Sequence, residues 1–568
     1  MSLGRGFYGL LGSLVCAIAL ITGGGHASAE LVDSKDLGDG VQRLTYRIGP
    51  IEVTSGQNRI ENKFVLPSER PAVNGYITAF RPNLVNPDGT VPKSSSIMFH
   101  HGVWVNLSRR DATSGQMTER FIGTGEEKTE VEFPPGFGYF HDTSDVWILN
   151  HMIHNLTPAE HELYVTYEID FVPLTSPAAE GMRGVRPIWM DVVNPNPYPV
   201  FDTYKGSGGK DGKIVWPYEA AEDPYKDGIK RNLWTVDRDG VMVWSVGHVH
   251  TGGLATDLYL NREGARYRGP KCPKPKILKR LTQRRLKAMP KGKRKAKSRA
   301  RRKAATRYRK CRAKMPSVKG ERVHLFKSGA HYYEPAGPVS WDMAMRNTRP
   351  DWKVQVKAGD TLEVPTTYET RRASWYENMG IHIGYMADGD GGRNPYRKKV
   401  DYRGPVNHEH YPENDDHGGQ TGKNGSKLVG PDPTKLANGP LATDPFVISD
   451  YSYGQGNFRL PGSLGRPPVV EKGKSFSFAL SGSDINREIW HSLTSCKAPC
   501  NKSTGIAYPI ADGSFNFDSG QMGVGGDPTV NRTTWSTPAN LPVGTHTFFC
   551  RIHPLMRGAV RVVPKKGG

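Results

Sequence analysis

The sequence predicts an all-β protein made of several sandwich domains. The chain of 568 residues contains 65 Gly and 43 Pro, and its apolar runs are short and interrupted by turn residues. Short strands separated by turns give this pattern in sandwich domains, whereas amphipathic helices need longer runs with a helical period. The length suggests three or four domains.

The first 29 residues have the features of a secretory signal. Arg5 gives a basic start, an apolar stretch covers residues 10–21, and Ala27-Ser28-Ala29 forms a small-residue cleavage site. The apolar stretch is too short to span a membrane, and no later run is long enough. We therefore expect a cleaved signal and a protein that is secreted or lies on the exterior of the cell envelope.

The positive charge is concentrated in one segment. The formal net charge is +21, and residues 271–314 alone contain 22 Lys and Arg residues and no acidic residue. The rest of the chain is close to neutral. Because export would remove the protein from the genome, we expect no specific nucleic-acid partner. The segment is predicted to be a solvated helical or disordered loop, and its functional alternative is electrostatic binding to anionic envelope polymers or acidic partners.

The chain has six cysteines, and Cys16 is expected to be removed with the signal. The other five form two pairs and one single thiol. Cys272 and Cys311 flank the basic segment, and Cys496 and Cys500 lie close together. Disulfides are the economical assignment for both pairs in an exported chain, although Cys-x-x-x-Cys can also bind a metal. Cys550 remains as a functional thiol.

The C-terminal region contains a metal-type loop between two predicted strands. Cys550, His553 and Met556 lie in this loop. Thiolate, imidazole and thioether together suit copper, which favours two His and one Cys with a weak axial Met. The second histidine must come from an earlier strand, and His491 follows the strand-like run 475–480.

These four residues resemble the ligands of the plastocyanin and azurin family of cupredoxins. The Cys-x-x-His-x-x-Met loop with Pro554 is most similar to amicyanin, and the resemblance covers about residues 444–563. It implies a Greek-key β-sandwich with a type 1 (blue) copper site that transfers electrons. Multicopper oxidases and copper nitrite reductases place His beside the blue-copper Cys, whereas Phe549 and Arg551 flank Cys550 here. The domain is therefore expected to carry electrons without oxygen chemistry of its own.

A His-x-His pair gives the clearest geometry in the N-terminal region. His248 and His250 project from the same side of a strand and can chelate one copper or zinc ion, because side chains alternate between its two faces. The adjacent His100 and His101 point to opposite faces of a regular strand. Both can therefore serve one metal only at a bulge or a strand end.

A further histidine pair leaves a choice. His151 and His154 are three residues apart, so in a strand they lie on opposite faces and only one is expected to be a ligand. We favour His154 because it leads into the turn at Asn155-Leu156-Thr157-Pro158.

The order of these motifs along the chain resembles that of the ligands in the copper type II monooxygenases. The order is a His-His pair, a single His, a His-x-His pair and then the Met in Glu377-Asn378-Met379. Peptidylglycine α-hydroxylating monooxygenase and dopamine β-monooxygenase are members of that family. The resemblance implies an electron-transfer copper site formed by His100, His101 and His154. It also implies a catalytic, oxygen-activating copper site formed by His248, His250 and Met379.

The predicted function is O2-dependent hydroxylation of an organic substrate, with electrons supplied by the C-terminal copper and by a redox partner protein or small reductant. The alternative is a non-catalytic copper-binding electron carrier. The chain departs from the monooxygenases because it has no cysteine between residues 30 and 271 and carries the basic insertion.

The chain divides into five predicted parts: a signal peptide (1–29), a first monooxygenase-like sandwich (30–180), a second one with the basic insertion (181–387), a linker rich in Gly, Asn, Asp and Pro (388–440), and the cupredoxin domain (441–568). The linker contains His408, His410 and His417 among carboxylates. These histidines either form a further metal site or belong to a solvated loop.

Overall fold

The computed structural model describes residues 31–565 except 94–95, 194–198, 221–224, 268–271, 279–289, 334–336, 340, 342, 408–431, 459–464, 499, 501–516, 525–531 and 554–555. The predicted signal peptide lies outside the described residues. Strands dominate, which confirms the all-β class. Short 3₁₀ turns occupy Pro67–Glu69, Pro177–Ala179, Lys276–Leu278, Pro433–Lys435 and Gly454–Gly456. Among the described helices, none has the length and apolar character needed to cross a membrane.

The first sandwich consists of β1 (Leu31–Gly38), β2 (Val41–Val53), β3 (Ile60–Val65), β4 (Gly75–Val85), β5 (Ile97–Arg110), β6 (Thr118–Gly125), β7 (Val131–Glu132), β8 (Phe137–His141), β9 (Trp147–Asn155) and β10 (His161–Pro173). One sheet has the order β1-β2-β10-β4-β8, with β7 on β4, and the other has the order β3-β9-β5-β6. The two sheets meet where Phe80 and Tyr167 stack at 5.0 Å between ring centroids and Trp104 contacts Phe80 edge-on at 4.8 Å. These three rings are fully buried and form the centre of the core.

The second sandwich consists of β11 (Arg183–Asp191), β12 (Phe201–Thr203), β13 (Lys213–Trp216), β14 (Leu233–Thr235), β15 (Gly240–Val249), β16 (Gly253–Asn261), β17 (Val318–Lys319), β18 (Arg322–Gly329), β19 (His331–Tyr332), β20 (Met343–Ala344), β21 (Val354–Val356), β22 (Thr361–Glu363), β23 (Thr366–Glu369), β24 (Trp375–Asn378) and β25 (Gly380–Asp388). Its first sheet, β11-β25-β15-β21, continues that of the first sandwich because β8 and β11 pair in parallel. Its second sheet has the order β13-β23-β16-β18-β17. Met242 and Met386 of the first sheet share a buried core with Leu258 and Phe326 of the second.

The basic insertion forms the helix α1 (Lys291–Lys314), in which no residue is buried. A disulfide between Cys272 and Cys311 ties the helix to the start of the insertion, as predicted. A helix without a buried face contributes nothing to a core, so its stability depends on helix-forming residues and on this covalent closure. The prediction of a solvated helical element is therefore confirmed for the described part of the insertion.

The first part of the predicted linker is packed onto the second sandwich. Tyr396 is 5% exposed and its hydroxyl donates to the carbonyl of Glu321 at 2.7 Å. Asn407 donates to the carbonyl of Glu130 in the first sandwich and accepts from its N–H. The stretch 388–407 thus behaves as an extension of the sandwiches, whereas His408, His410 and His417 lie outside the described residues.

The C-terminal unit consists of β26 (Phe446–Ile448), β27 (Asn457–Phe458), β28 (Val469–Glu471), β29 (Ser477–Leu480), the short helix α2 (Gly482–Asn486), β30 (His491–Cys496), β31 (Asp518–Met522), β32 (Thr534–Ser536), β33 (Gly544–Phe549) and β34 (Arg557–Val563). A three-stranded sheet, β26-β29-β32, faces a six-stranded sheet, β27-β34-β33-β30-β31 with β28 on β34. Phe478 of the first sheet meets Phe548 of the second edge-on at 5.4 Å. The predicted disulfide between Cys496 and Cys500 is present, and Cys550 is a buried free thiol.

Candidate metal centres

The first candidate centre lies in the C-terminal unit and contains His491, Cys550 and His553. One ligand atom from each residue lies within 4.8 Å of those from the other two, and all three side chains are buried. His491 begins β30, while Cys550 and His553 follow the end of β33. Met556 is 2% exposed, its N–H donates to the carbonyl of His553, and its own carbonyl accepts from the N–H of Cys550. These bonds close the loop, of which Pro554 and Leu555 lie outside the described residues.

Both histidines of this centre are oriented by a partner on the far ring nitrogen. His491 Nε2 lies 3.1 Å from Asp484 Oδ2, so its buried Nδ1 is the nitrogen left for Cys550. His553 Nε2 lies 3.2 Å from the Gly56 carbonyl, and its Nδ1 lies 3.8 Å from Cys550 Sγ. A nitrogen that donates to an oxygen leaves the other nitrogen as an acceptor, as metal-ligating imidazoles require. The two inward Nδ1 atoms and the sulfur therefore fit a copper ion.

The charges within this donor set favour the ligand form of the thiol. Burial alone raises the pKa of Cys550, but hydrogen bonds from His491 and His553 outweigh it and hold this pKa well below its usual range. Burial lowers the pKa of His491, yet the hydrogen bonds to Asp484 and Cys550 prevail and raise it to about 9. Backbone N–H groups of Ser492 and His553 also point at the sulfur, at 3.3 and 3.4 Å. The thiolate, which is the metal-binding form, is thus stabilised.

The second candidate centre begins with a bulge in β5. The pairing of β5 with β9 shifts between Phe99 and His101, so His100 is the extra residue. The two adjacent histidines consequently lie side by side, with their Nδ1 atoms 3.4 Å apart. The sequence analysis predicted that both histidines could bind one metal only at a bulge or a strand end, and the structure has a bulge here. From β9, His154 stacks on His100 with ring centroids 4.3 Å apart.

His151 occupies the other face of β9. It lies beside Glu61, with Nε2 3.8 Å from the carboxylate. Unlike His154, it makes no ring contact with His100 in the described structure. Of the two alternatives that the sequence offered, His154 is the one that the fold brings to the other candidate ligands.

The second sandwich supplies His248 and His250 to the same place. Their ring centroids are 5.2 Å apart, and His250 meets His100 at 4.9 Å. His250 Nδ1 lies 2.6 Å from the Glu377 carbonyl, while its buried Nε2 and that of His154 have no hydrogen-bond partner. The residues that the resemblance divides between two sites thus form one histidine cluster, which we define as His100, His101, His154, His248 and His250.

Burial favours the neutral imidazole form of His101 and His154. Burial lowers the pKa of His101 to about 3, although its contact with Asn150 opposes the shift. Burial together with the neighbouring histidines lowers the pKa of His154 to about 3 as well. A neutral ring keeps one nitrogen lone pair available, and this is the form that binds a metal. The donor set therefore fits copper or zinc.

Met379 is held next to His250 by a tyrosine. The hydroxyl of Tyr368 accepts from the His250 N–H at 2.9 Å and donates to the Met379 carbonyl at 2.8 Å. Met379 is 5% exposed, and it lines a cavity that His101 and His248 also line. The fold thus brings Met379 to the edge of the histidine cluster.

Sequence reasoning missed several residues at this centre. Glu127 carboxylate oxygens lie 3.0 and 3.1 Å from His248 Nδ1, and Trp341 meets both His100 and His250 edge-on, at 5.4 and 5.5 Å. At Gly125 a Cβ atom would lie 2.7 Å from the His248 ring, so a side chain there would displace it. The buried acidic pair Glu126-Glu127 beside this glycine was the available signal, whereas nothing in the sequence around Trp341 indicated the contact.

The C-terminal unit docks with its metal centre turned toward the histidine cluster. Beside the contact of His553 with Gly56, the hydroxyl of Tyr451 donates to the Asn155 carbonyl at 2.6 Å, and its ring packs on His553 at 4.9 Å. On the other side, Arg551 donates to the Ser374 carbonyl and stacks over Trp375 and Tyr376. His553 is therefore covered by the first sandwich and is only 1% exposed.

Comparison with known proteins identifies no family. No protein-family description and no curated protein matches the chain. Among solved structures, a copper-containing nitrite reductase from Thermus scotoductus SA-01 aligns with 37% of this chain and 48% of its own, at 14% identity and a TM-score of 0.13. The alignment spans less than half of that enzyme, and a likeness this low supports no conclusion about this chain.

Proposed function

We propose that the protein is an exported copper redox protein in which a type 1 site passes electrons to a histidine cluster that catalyses O2-dependent hydroxylation. The observation that carries the proposal is the arrangement of the two donor sets. The His491, Cys550 and His553 group faces the histidine cluster across one docking interface, rather than facing solvent. Two disulfides support export, because such bonds persist in oxidising compartments.

Copper bound at these donor sets would supply one-electron redox chemistry and O2 activation. The overall reaction consumes one O2, two electrons and two protons. One oxygen atom enters a C–H bond of the substrate to form C–OH, and the other leaves as water. Electrons must therefore reach the histidine cluster twice in each turnover, which makes the connection between the centres the critical feature.

A short chain of bonds joins the two centres. His553 Nε2 contacts the Gly56 carbonyl at 3.2 Å, and the next carbonyl, that of Gln57, accepts from the Asn155 N–H at 2.9 Å. Asn155 directly follows His154 of the cluster. Two hydrogen bonds and a few backbone bonds thus link a ligand of one centre to a ligand of the other.

The residues of the cluster have separate tasks. His154 and His250 present their unpartnered Nε2 atoms as ligands. Glu127 holds the His248 ring through Nδ1, and the Glu377 carbonyl holds the His250 ring in the same way. Such partners typically change metal affinity about 10- to 100-fold when they are removed.

Copper content distinguishes this function from a non-catalytic electron carrier. We expect purified, copper-loaded protein to bind more than one copper per chain, up to three, and to consume O2 when a reductant and a substrate are supplied. The measurement is metal analysis combined with an oxygen electrode. If the protein bound a single copper per chain and showed no substrate-dependent O2 consumption, its function would be that of a non-catalytic electron carrier.

The surface of α1 supports a separate proposal about partners. The helix exposes only basic charges, so we propose that it binds anionic envelope polymers. Replacing residues 273–309 by a short Gly-Ser linker is expected to leave the melting temperature and visible absorption unchanged. Binding to heparin should be lost, and wild-type binding should weaken with added salt. A destabilised variant would show that the insertion is an integral element.

A further inference from the structure

A partly open cavity lies beside the histidine cluster, between the two sandwiches. It has a volume of about 280 Å³ and is bounded by β5, β6 and β9 on one side and by β11, β15 and β25 on the other. His101, His248 and Met379 line it. A molecule in this space would therefore touch candidate ligands from both sandwiches, which makes the cavity the natural place for a substrate.

Most of the cavity wall is apolar. The first sandwich contributes Val103, Val105 and Ile148, and the second contributes Trp189, Ile381 and Ile383. Apart from the indole N–H of Trp189, these side chains offer no hydrogen bonds, so a charged group held against them would lose its hydration without compensation. The volume is also below the roughly 300–1,000 Å³ of pockets that hold drug-sized ligands. The occupant must be small and largely apolar.

The charged residues of the wall already have partners. Arg120 Nε donates to Asp111 at 2.9 Å, and Arg120 Nη1 lies 3.9 Å from Asp191. Glu127 is engaged by His248 and by the hydroxyl of Thr129. A substrate carboxylate or ammonium group would have to compete with these existing partners.

Two buried hydrogen-bond donors belong to residues of the wall and have no partner in the described structure, Trp189 Nε1 and Arg120 Nη2. Arg120 is 6% exposed, and its buried Nη2 makes no hydrogen bond within the described structure. Unpaired buried donors are costly, and a ligand oxygen would satisfy this one. In the pairing of β5 with β6, Val105 lies opposite Arg120 and His101 opposite Gly125. Four residues of strand separate these positions, or about 13 Å, so the donor and the histidine cluster approach the cavity from different ends.

From these observations we infer that the cavity binds a small neutral molecule with an apolar body and one acceptor oxygen, a hydroxyl or a carbonyl, directed at Arg120 Nη2. Its opposite end presents a C–H bond to His248 and Met379. The inference rests on the proposed hydroxylation, because it names the substrate class of that reaction. Substrates with an obligatory carboxylate or ammonium group are excluded from this cavity.

The test measures binding to metal-free protein, so that its outcome does not depend on catalysis. Benzyl alcohol, benzylammonium, benzoate and toluene share one ring and differ only at the substituent. By calorimetry or ligand-observed NMR, we expect benzyl alcohol to bind at least about tenfold more tightly than either ion, because each ion buries an uncompensated charge. Toluene should bind about five- to tenfold more weakly than the alcohol, because it leaves Arg120 Nη2 unpaired.

Two matched variants assign the binding to this cavity. Val103→Phe fills the cavity and is expected to abolish binding of benzyl alcohol, whereas Val146→Phe adds the same ring at a position that is 44% exposed and should bind normally. The visible absorption of the copper-loaded C-terminal centre reports that both variants are folded. Equal or tighter binding of an ion, no binding of the neutral probe, or normal binding by Val103→Phe would each overturn the inference. O2 consumption with other substrates would then still test the hydroxylation independently.

Discussion

Copper-loaded protein with Cys550 replaced by serine is expected to lose essentially all of its intense visible absorption. The absorption of type 1 sites arises from charge transfer between a thiolate and copper, and serine provides no thiolate. Cys550 is fully buried between His491 and His553, so the substitution of one atom leaves the packing intact. Absorption spectra of the oxidised wild-type and variant proteins, at matched copper content, measure the effect.

Graded variants separate loss of the ligand from general damage. His546→Gln alters a buried histidine of β33, the strand that ends just before Cys550. Its Nε2 lies 2.8 Å from the Pro542 carbonyl, and the colour should be retained. Asp484→Asn weakens the partner that orients His491 and should lower copper affinity about 10- to 100-fold while keeping the colour at saturating copper. A colourless copper-loaded wild type would refute the type 1 assignment.

The C-terminal centre was predictable because three of its candidate ligands are local in sequence. Cys550, His553 and Met556 lie in one loop, and the strands on either side fix that loop whatever the rest of the chain does. His491 required one further step, a preceding strand brought near by sandwich topology. The orientation of its ring by Asp484 was not predictable, because that contact depends on how α2 packs beneath the site.

The N-terminal centre was predictable only in part. Strand alternation correctly paired His248 with His250, and the need for a bulge at His100 is met by the register shift in β5. Alternation says nothing about which faces of different domains meet. The approach of His250 to His100 therefore depends on the continuous sheet through β8 and β11, which no local pattern encodes. The docking of His553 on Gly56 was not predictable for the same reason.

The relay between the centres predicts that two classes of variant differ in kinetics. Cys550→Ser is expected to slow steady-state O2 consumption at least about tenfold with a protein reductant, because the linked donor, present at roughly millimolar effective concentration, is lost. The same variant should complete a single turnover after chemical pre-reduction, since copper held by the histidine cluster would already have been reduced by the added reductant. His248→Ala and Met379→Ala remove groups at the cluster itself and should abolish both reactions.

All variants and a matched control must be measured both in the steady state and in a single turnover. His324→Ala changes a histidine on β18, in the far sheet of the second sandwich, and should behave as wild type in each. Stopped-flow oxidation of the pre-reduced protein by O2 in the presence of substrate gives the single turnover, and an oxygen electrode gives the steady state. If electrons travel through Gly56, Gln57 and Asn155, the Cys550 variant should be slow only in the steady state, in which an external reductant must supply the electrons. If Cys550→Ser and Met379→Ala lose the single turnover equally, or if neither changes O2 consumption, the two centres do not work in series and the electron carrier becomes the function.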